Sequence, residues 1–177
     1  MLTSRLPGRV EPYKLAAHAE HLEGLVALAD MDRLTEEVGI QQGDASVWLE
    51  FAIDAQGRRV IRGRLEADLQ LPCRRCLEPM AQHVASDFLL GLVSSDDLAA
   101  ELPSTHEPVL VENEQLNLLG AVEDELILSL PQVVYHDESA CPVSREQLSS
   151  GADAEASEAP SGSPFDVLKR LKGNTES

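Results

Sequence analysis

The chain has 177 residues and a formal net charge of −17, with 43% apolar but only 3% aromatic residues. This length suffices for one domain whose core is built mainly from Leu, Val, Ala and Ile. A field this negative repels nucleic acid at long range and attracts basic proteins, so any contact with RNA has to be local.

No segment has the composition of a secretion signal or a membrane span. The N-terminal residues lack an apolar stretch, and the longest apolar runs, residues 25–29 and 88–93, are too short to cross a bilayer. We therefore predict a soluble, cytoplasmic protein with no membrane partner. Its three cysteines then stay reduced, which leaves metal ligation, catalysis or simple packing as their role.

The N-terminal quarter is predicted to mix short helices and one strand. The pattern favours a helix over residues 12–21, a strand over 22–29, a helical turn over 31–38 and a turn over 39–44. Two strands with a stronger sequence signal follow this segment.

Strict alternation of apolar and polar side chains marks two strands, in VWLEFAID (47–54) and IRGRLEADLQL (61–71). Alternation with period two is typical of strands that bury one face and expose the other. Residues 54–57 fit a hairpin turn between them. A third strand is predicted over residues 80–93, which completes an antiparallel meander with the Cys-x-x-Cys sequence at a hairpin tip.

The next segment contains the main helix. Residues 95–102 indicate a helical turn and 108–112 a further strand, and NLLGAVEDELILSLP then reads as a helix with Asn117 as its N-cap and Pro131 as its end. Its apolar stripe consists of Leu119, Val122, Leu126, Ile127 and Leu130. The acidic residues 123–125 are interpreted as a solvated face near the helix N-terminus.

These patterns predict an α+β fold. Residues 1–148 form a single domain, in which the antiparallel meander is covered on one side by helix 117–130 and the N-terminal helix. Residues 149–163, SSGADAEASEAPSGS, have nothing to bury and are predicted to be a disordered acidic linker. Residues 164–172 form a short C-terminal helix, and 173–177 a tail.

The C-terminal helix has one apolar side, made of Phe165, Leu168 and Leu171, with Lys169, Arg170 and Lys172 elsewhere on it. Ser163 and Pro164 provide the residue types that start helices. A short apolar helix on a flexible tether suggests docking to a partner. Folding back onto its own domain is the other interpretation, and the sequence leaves both open.

Cys73 and Cys76, in LPCRRCLEP, have the spacing of a metal-binding knuckle. A structural zinc needs four ligands, and His136 and Cys141 in YHDESACP would complete a Cys₃His set that ties the hairpin tip to the segment after the main helix. Arginines between the first two cysteines favour the thiolate. Free structural thiols fit the same pattern, whereas a redox pair would require a βαβ context that is missing.

Six of the fourteen basic residues lie close together in the sequence: Arg58, Arg59, Arg62, Arg64, Arg74 and Arg75. In contrast, residues 91–160 contain fifteen acidic side chains and a single arginine. We therefore predict a cationic β-ribbon that contacts RNA phosphates or a partner. The alternative is that these arginines form surface pairs with Glu50, Glu66 and Asp68.

The chain lacks the nucleophile elbow, phosphate-binding glycine loop, metalloprotease helix and dinucleotide fingerprint that mark common enzyme classes. We predict that it is not an enzyme and takes no small-molecule substrate.

Five short sequences in order resemble the YceD family, the large ribosomal RNA subunit accumulation proteins of bacteria and plastids. They are FAID (51–54), LPCRRCLEP (71–79), VEDELILSLP (122–131), HDESAC (136–141) and SPFDVLKRLK (163–172). The resemblance implies a non-enzymatic role in the synthesis, processing or stability of large-subunit ribosomal RNA. The four metal-ligand candidates fall where cysteine-bearing members have theirs.

The resemblance leads to a ribosome-biogenesis factor that acts on large-subunit ribosomal RNA, on its precursor particle or on a basic ribosomal protein. Two alternatives involve no direct contact with RNA. One is a zinc-stapled adaptor that docks protein partners through its C-terminal helix, and the other is an acidic chaperone for a basic large-subunit ribosomal protein.

Overall fold

The computed structural model describes residues 4–148. The predicted linker, C-terminal helix and tail lie outside these residues, as do Phe165, Leu168 and Leu171. The chain divides between Pro142 and Val143 into two units. The described part of the second unit is a short helix, α5 (Arg145–Leu148), before which the Ser144 hydroxyl accepts a hydrogen bond from the Gln147 backbone N–H at 3.3 Å.

The first unit is an α+β domain, as predicted. Its strands are β1 (Arg9–Val10), β2 (His21–Ala27), β3 (Asp44–Ile53), β4 (Arg59–Pro72), β5 (Pro79–Val93), β6 (Glu107–Leu110) and β7 (Leu116–Asn117). Its helices are α1 (Pro12–Ala17), α2 (Asp32–Val38), α3 (Asp96–Ala100) and α4 (Leu118–Leu128), with a 3₁₀ turn at Leu28–Asp30.

The main sheet has the strand order β2-β3-β4-β5-β6, and the small pair β1-β7 lies apart from it. Strands β3 to β5 form the predicted antiparallel meander, and β2 adds a fourth antiparallel strand beside β3. The expectation of a wholly antiparallel sheet is wrong at one edge, because β6 pairs with β5 in parallel. Strand β6 lies beside the last four residues of β5, Leu90–Val93, after a connection that contains α3, and a parallel pair needs such a crossover rather than a tight hairpin.

Helices α1, α2 and α4 contact the face of the sheet on which the apolar positions of β3 and β4 lie. Phe51, Ile61, Leu65 and Leu69 are fully buried there, as their alternation predicts. The opposite face of β3 and β4 carries the polar residues of the pattern. Near its end it is covered by Leu102, whose side chain occupies the space beside Gly91.

The first predicted helix is wrong at its C-terminal end. Helix α1 stops at Ala17, Ala19 has a positive φ of 51°, and β2 begins at His21. Pairing with β3 competes with helix formation here, since His21 lies opposite Glu50 and the Phe51 N–H donates to the Glu20 carbonyl at 2.9 Å.

The main helix agrees with its prediction. The Asn117 side chain accepts a hydrogen bond from the Gly120 N–H at 3.1 Å, which is the geometry of an N-cap. Val122 and Leu126 are buried, and the other members of the apolar stripe pack against the same core.

Candidate metal centre and the surrounding surface

The hairpin tip between β4 and β5 forms a knuckle around Cys73. The Leu77 N–H donates to the Cys73 carbonyl at 2.8 Å, and the Cys73 N–H donates to the Glu78 carbonyl at 2.9 Å. Leu77 has a φ of 64°, in the left-handed region that reverses the chain. The turn directs the backbone N–H of Arg75 toward the Cys73 sulfur, at 3.4 Å.

The segment after α4 lies against this knuckle. The Arg74 N–H donates to the Val134 carbonyl at 2.9 Å, and the His136 N–H donates to the Cys73 sulfur at 3.4 Å. A turn in which the Cys141 N–H donates to the Asp137 carbonyl at 3.0 Å then brings Cys141 back to the same place. Backbone hydrogen bonds therefore join two segments that are about sixty residues apart in the chain.

The four predicted ligands meet at this point. One ligand atom from each of Cys73, Cys76, His136 and Cys141 lies within 4.8 Å of all the others, and we call this group the Cys₃His cluster. Cys76 Sγ is 3.3 Å from His136 Nδ1. Sulfur and nitrogen ligands around a tetrahedral zinc lie roughly 3.3–3.8 Å apart, so the cluster needs little adjustment to hold a metal ion.

The cysteines of the cluster differ in acidity. Burial raises the pKa of the Cys73 thiol, but hydrogen bonds from the N–H groups of Cys76, His136 and Arg75 outweigh it and lower the pKa to about 5. Burial raises the pKa of Cys76, and the adjacent Cys73 and Cys141 sulfurs raise it further. Neighbouring thiolates in this site repel each other, so several of them are disfavoured at once. A bound cation would relieve this repulsion.

Arg75 supports the cluster from its side. Its guanidinium donates to the His136 carbonyl and lies over the Tyr135 ring, with its central carbon 5.5 Å from the ring centre. The Arg75 Nε is buried without a hydrogen-bond partner among the described residues. Arg74 is exposed. Arg75 therefore packs against the histidine segment, and only Arg74 of the two is fully open to a partner.

The six predicted contact arginines do not form one cationic ribbon. Strand β4 is about 40 Å long, and it separates Arg58 and Arg59 from Arg74 and Arg75. Arg58 Nε is 2.7 Å from Asp54 Oδ2 within the hairpin turn. The Arg59 guanidinium carbon is 5.2 Å from the ring centre of Tyr13, which belongs to α1.

Arg62 and Arg64 share the solvent-facing side of β4, as predicted, but acidic residues surround them. Arg62 Nη1 is 3.3 Å from Glu50 Oε2, and Arg64 Nε is 3.2 Å from Asp87 Oδ1. Glu66 lies 3.9 Å from Arg64 as well. The predicted surface pairs with Glu50 and Glu66 are thus present, and this face carries no local excess of positive charge. The predicted cationic β-ribbon is therefore wrong at Arg62 and Arg64.

The acidic residues of α4 also depart from their interpretation as a solvated face. Asp124 is exposed, but Glu123 and Glu125 are only 6% and 5% exposed. Glu123 Oε1 accepts hydrogen bonds from the backbone N–H groups of Arg33 (2.7 Å) and Leu34 (3.1 Å). Glu123 follows Leu119 by four residues and precedes Leu126 by three, so helical spacing already places it beside the apolar stripe.

Glu125 lies close to the carboxylate of Glu107 on β6. Burial raises the pKa of Glu125 to about 7, and the negative charge of Glu107 and a hydrogen bond to it act in the same direction. The local sequence does not indicate this pair. Glu107 comes close to Glu125 only because β6 pairs with β5 at the parallel edge of the sheet.

Comparison with known proteins bears directly on the function. Residues 61–172 match the family model of the large ribosomal RNA subunit accumulation protein YceD. The chain is also 38% identical over 170 residues to the large ribosomal RNA subunit accumulation protein YceD of Haemophilus influenzae, and the match covers 95% of this chain and 97% of that protein.

The chain belongs to the YceD family. The predicted resemblance is therefore confirmed, and it extends over nearly the whole chain. No solved structure matches the sequence. Among the helices of residues 4–148, none is long and apolar enough to cross a membrane. As a YceD family member, the protein is associated by family name with accumulation of the large ribosomal RNA subunit.

Proposed function

We propose that this YceD family protein supports the synthesis, processing or stability of large-subunit ribosomal RNA in the cytoplasm, without catalysing a reaction. The observation that carries the proposal is the 38% identity, over nearly the full length of both chains, to a protein named for that accumulation. The family membership supports a role in this process, and the local chemistry suggests how the chain takes part.

Depletion of the protein in growing cells tests this proposal. We expect large-subunit ribosomal RNA to fall relative to small-subunit ribosomal RNA, and re-expression of the full chain to restore the ratio. Quantification of both RNAs by hybridisation, together with sucrose-gradient profiles of the subunits, measures the effect. An unchanged ratio after complete depletion contradicts the proposal.

We also propose that the Cys₃His cluster holds a structural zinc ion. Three sulfurs and one imidazole are the ligand set of closed structural zinc sites, which leave no open position for a substrate. The ion would fasten the hairpin tip of β4 and β5 to the segment that follows α4. The zinc ion would then fix the position of the surface that these two segments form.

The action on RNA is proposed to pass through a basic protein partner, such as a ribosomal protein of the large subunit. The support comes from charge: the chain carries −17 overall, and two of its exposed arginines, Arg62 and Arg64, already pair with Glu50 and Asp87. A surface of this kind attracts cations more strongly than phosphates.

Charge reversal of Arg62 and Arg64 to Glu separates this route from direct contact with RNA. Action through a basic protein predicts large-subunit RNA levels close to those of the wild type, because no phosphate contact is lost. A fall in those levels, in a variant that melts at the wild-type temperature, would instead support direct contact through these arginines.

A further inference from the structure

Two clefts on the first unit share part of their lining. Each has a volume of about 540 Å³, and both are lined by Asp30 and Leu119. The first cleft lies between the start of α2, strand β6 and helix α4, and the second between residues 5–8, strand β2 and the start of α4. We call the two neighbouring clefts together the acidic groove. Each volume lies within the range of about 300–1,000 Å³ that is usual for ligand pockets.

Partly exposed apolar side chains line the groove. Leu110 on the edge strand β6 is 44% exposed, and Leu119 and Leu25 are half-buried. These residues lie within a groove lined by both helix and strand, so apolar side chains of a partner could be removed from water there.

The charges around this floor are predominantly negative. Arg33 is the basic residue of the first cleft, and its guanidinium is occupied by Glu123 and Asp124. Asp30 and Asp32 are exposed at the same opening, and neither forms an ion pair within residues 4–148. In the second cleft, Arg5 pairs with Asp44. The groove therefore presents unneutralised carboxylates beside an apolar floor.

We propose that the acidic groove binds a cationic peptide segment in which apolar side chains alternate with Lys or Arg, such as an extension of a basic large-subunit ribosomal protein. The inference rests on the proposed function and names the surface that would carry it. Asp30 and Asp32 attract the cationic side chains, whereas Leu110 and Leu119 contact the apolar ones. The negative field of the whole chain accelerates the encounter, and the floor provides selectivity.

Fluorescence anisotropy with two synthetic peptides tests the proposal on the full chain. One peptide repeats Lys-Leu-Arg-Ala, and the other repeats Lys-Ser-Arg-Ser, so that both carry the same charge but only one carries large apolar side chains. The test variant is Asp30→Asn with Asp32→Asn. The matched control is Asp96→Asn with Asp97→Asn, which removes the same charge from the exposed first turn of α3, outside the groove.

We expect salt-sensitive binding of the leucine peptide, weaker binding of the serine peptide, and a loss of roughly fivefold or more in affinity for the groove variant alone. Equal losses in the two variants would mean that net charge alone attracts the peptide, and would overturn the proposal. No loss in the groove variant, or equal binding of both peptides, would overturn it too. Melting temperatures of both variants verify that each is folded.

The ribosomal RNA measurement distinguishes failure of the groove from failure of the function. If depletion lowers large-subunit RNA but the groove variant binds the leucine peptide normally, the function stands and the groove is rejected. If depletion leaves the RNA unchanged, the proposed function fails whatever the peptide does.

Discussion

Arg33 and Glu123 are ninety residues apart in the sequence, and they join α2 to α4 by a two-pronged ion pair. The Arg33 Nη2 and Nε groups donate to Glu123 Oε2 at 2.9 and 3.0 Å, and Oε1 of the same carboxylate accepts two backbone N–H groups at the start of α2. Asp124 pairs with the same guanidinium but stays at the surface. The carboxylate thus replaces the missing intrahelical acceptors of α2.

Replacement of Glu123 tests this role. We expect Glu123→Ala to lower the free energy of unfolding by about 2–4 kcal/mol, because buried N–H groups and a guanidinium lose their acceptor. Asp124→Ala is the matched control and is expected to cost less than about 1 kcal/mol, as exposed ion pairs do. Urea denaturation measures both values, and equal losses would show that burial of Glu123 is unimportant.

Metal analysis of the protein, purified without chelator, tests the Cys₃His cluster. We expect about one equivalent of zinc, lost in Cys76→Ser and in His136→Asn, with a fall of roughly 5 °C or more in melting temperature, because metal binding is coupled to folding. His18→Asn, at an exposed histidine outside the cluster, serves as the control and should retain the metal. Less than about half an equivalent in the wild type would contradict the zinc proposal.

Glu125 predicts a dependence of stability on pH. Its pKa is raised to about 7 in the folded state, so between its unfolded value and pH 7 the folded state holds a proton that the unfolded state has lost. The free energy of unfolding therefore decreases as pH rises through this window. Above it, the stabilisation contributed by protonated Glu125 is lost completely. Below the unfolded pKa both states are protonated, so Glu125 no longer makes the free energy of unfolding depend on pH.

Glu125→Gln removes the titrating group while keeping its shape. We expect the variant to be more stable than the wild type at pH 8 by about 1–3 kcal/mol, with little difference at pH 4. Glu101→Gln, at an exposed position after α3, is the control. Denaturation curves across this pH range decide the matter, and parallel pH profiles for wild type and Glu125→Gln would refute the assignment.

Gly63 allows the Phe88 ring to lie across β4. A Cβ atom added at Gly63 would be 2.0 Å from that ring, on the opposite strand. We expect Gly63→Ala to destabilise the domain by roughly 1–3 kcal/mol, because the ring has to move within a packed core. Gly8→Ala, where nothing lies within 4 Å of the added Cβ, is the control in the same denaturation experiment. Wild-type stability of Gly63→Ala would show that the ring is free to shift.

Local signals accounted for much of the fold. The alternation in β3 and β4, the turn between them and the Asn117 cap each depend on residues a few positions apart, and all three were predicted correctly. The helix over residues 12–21 was too long, because pairing of His21 with β3 overrides helix propensity, and a strand partner is invisible in a local window.

The candidate site was predicted in its composition but not in its surroundings. The four candidate ligands of the Cys₃His cluster were chosen from spacing and residue type, and the structure brings them together. The packing of Arg75 against Tyr135, and the pairing of Arg62 and Arg64 with acids on neighbouring strands, depend on sheet register. Register follows from which faces are buried, and charge counts along the sequence carry no information about it.

The sequence alone determined most of the element types, the four residues of the Cys₃His cluster and the family, because these depend on local periodicity and on residue identity. Tertiary structure decided that β6 runs parallel to β5, that Glu123 and Glu125 enter the interior, and that the arginines divide among separate surroundings. The reason is that burial and ion pairing are set by which distant segments pack together, and a side chain's charge does not reveal its neighbours in space.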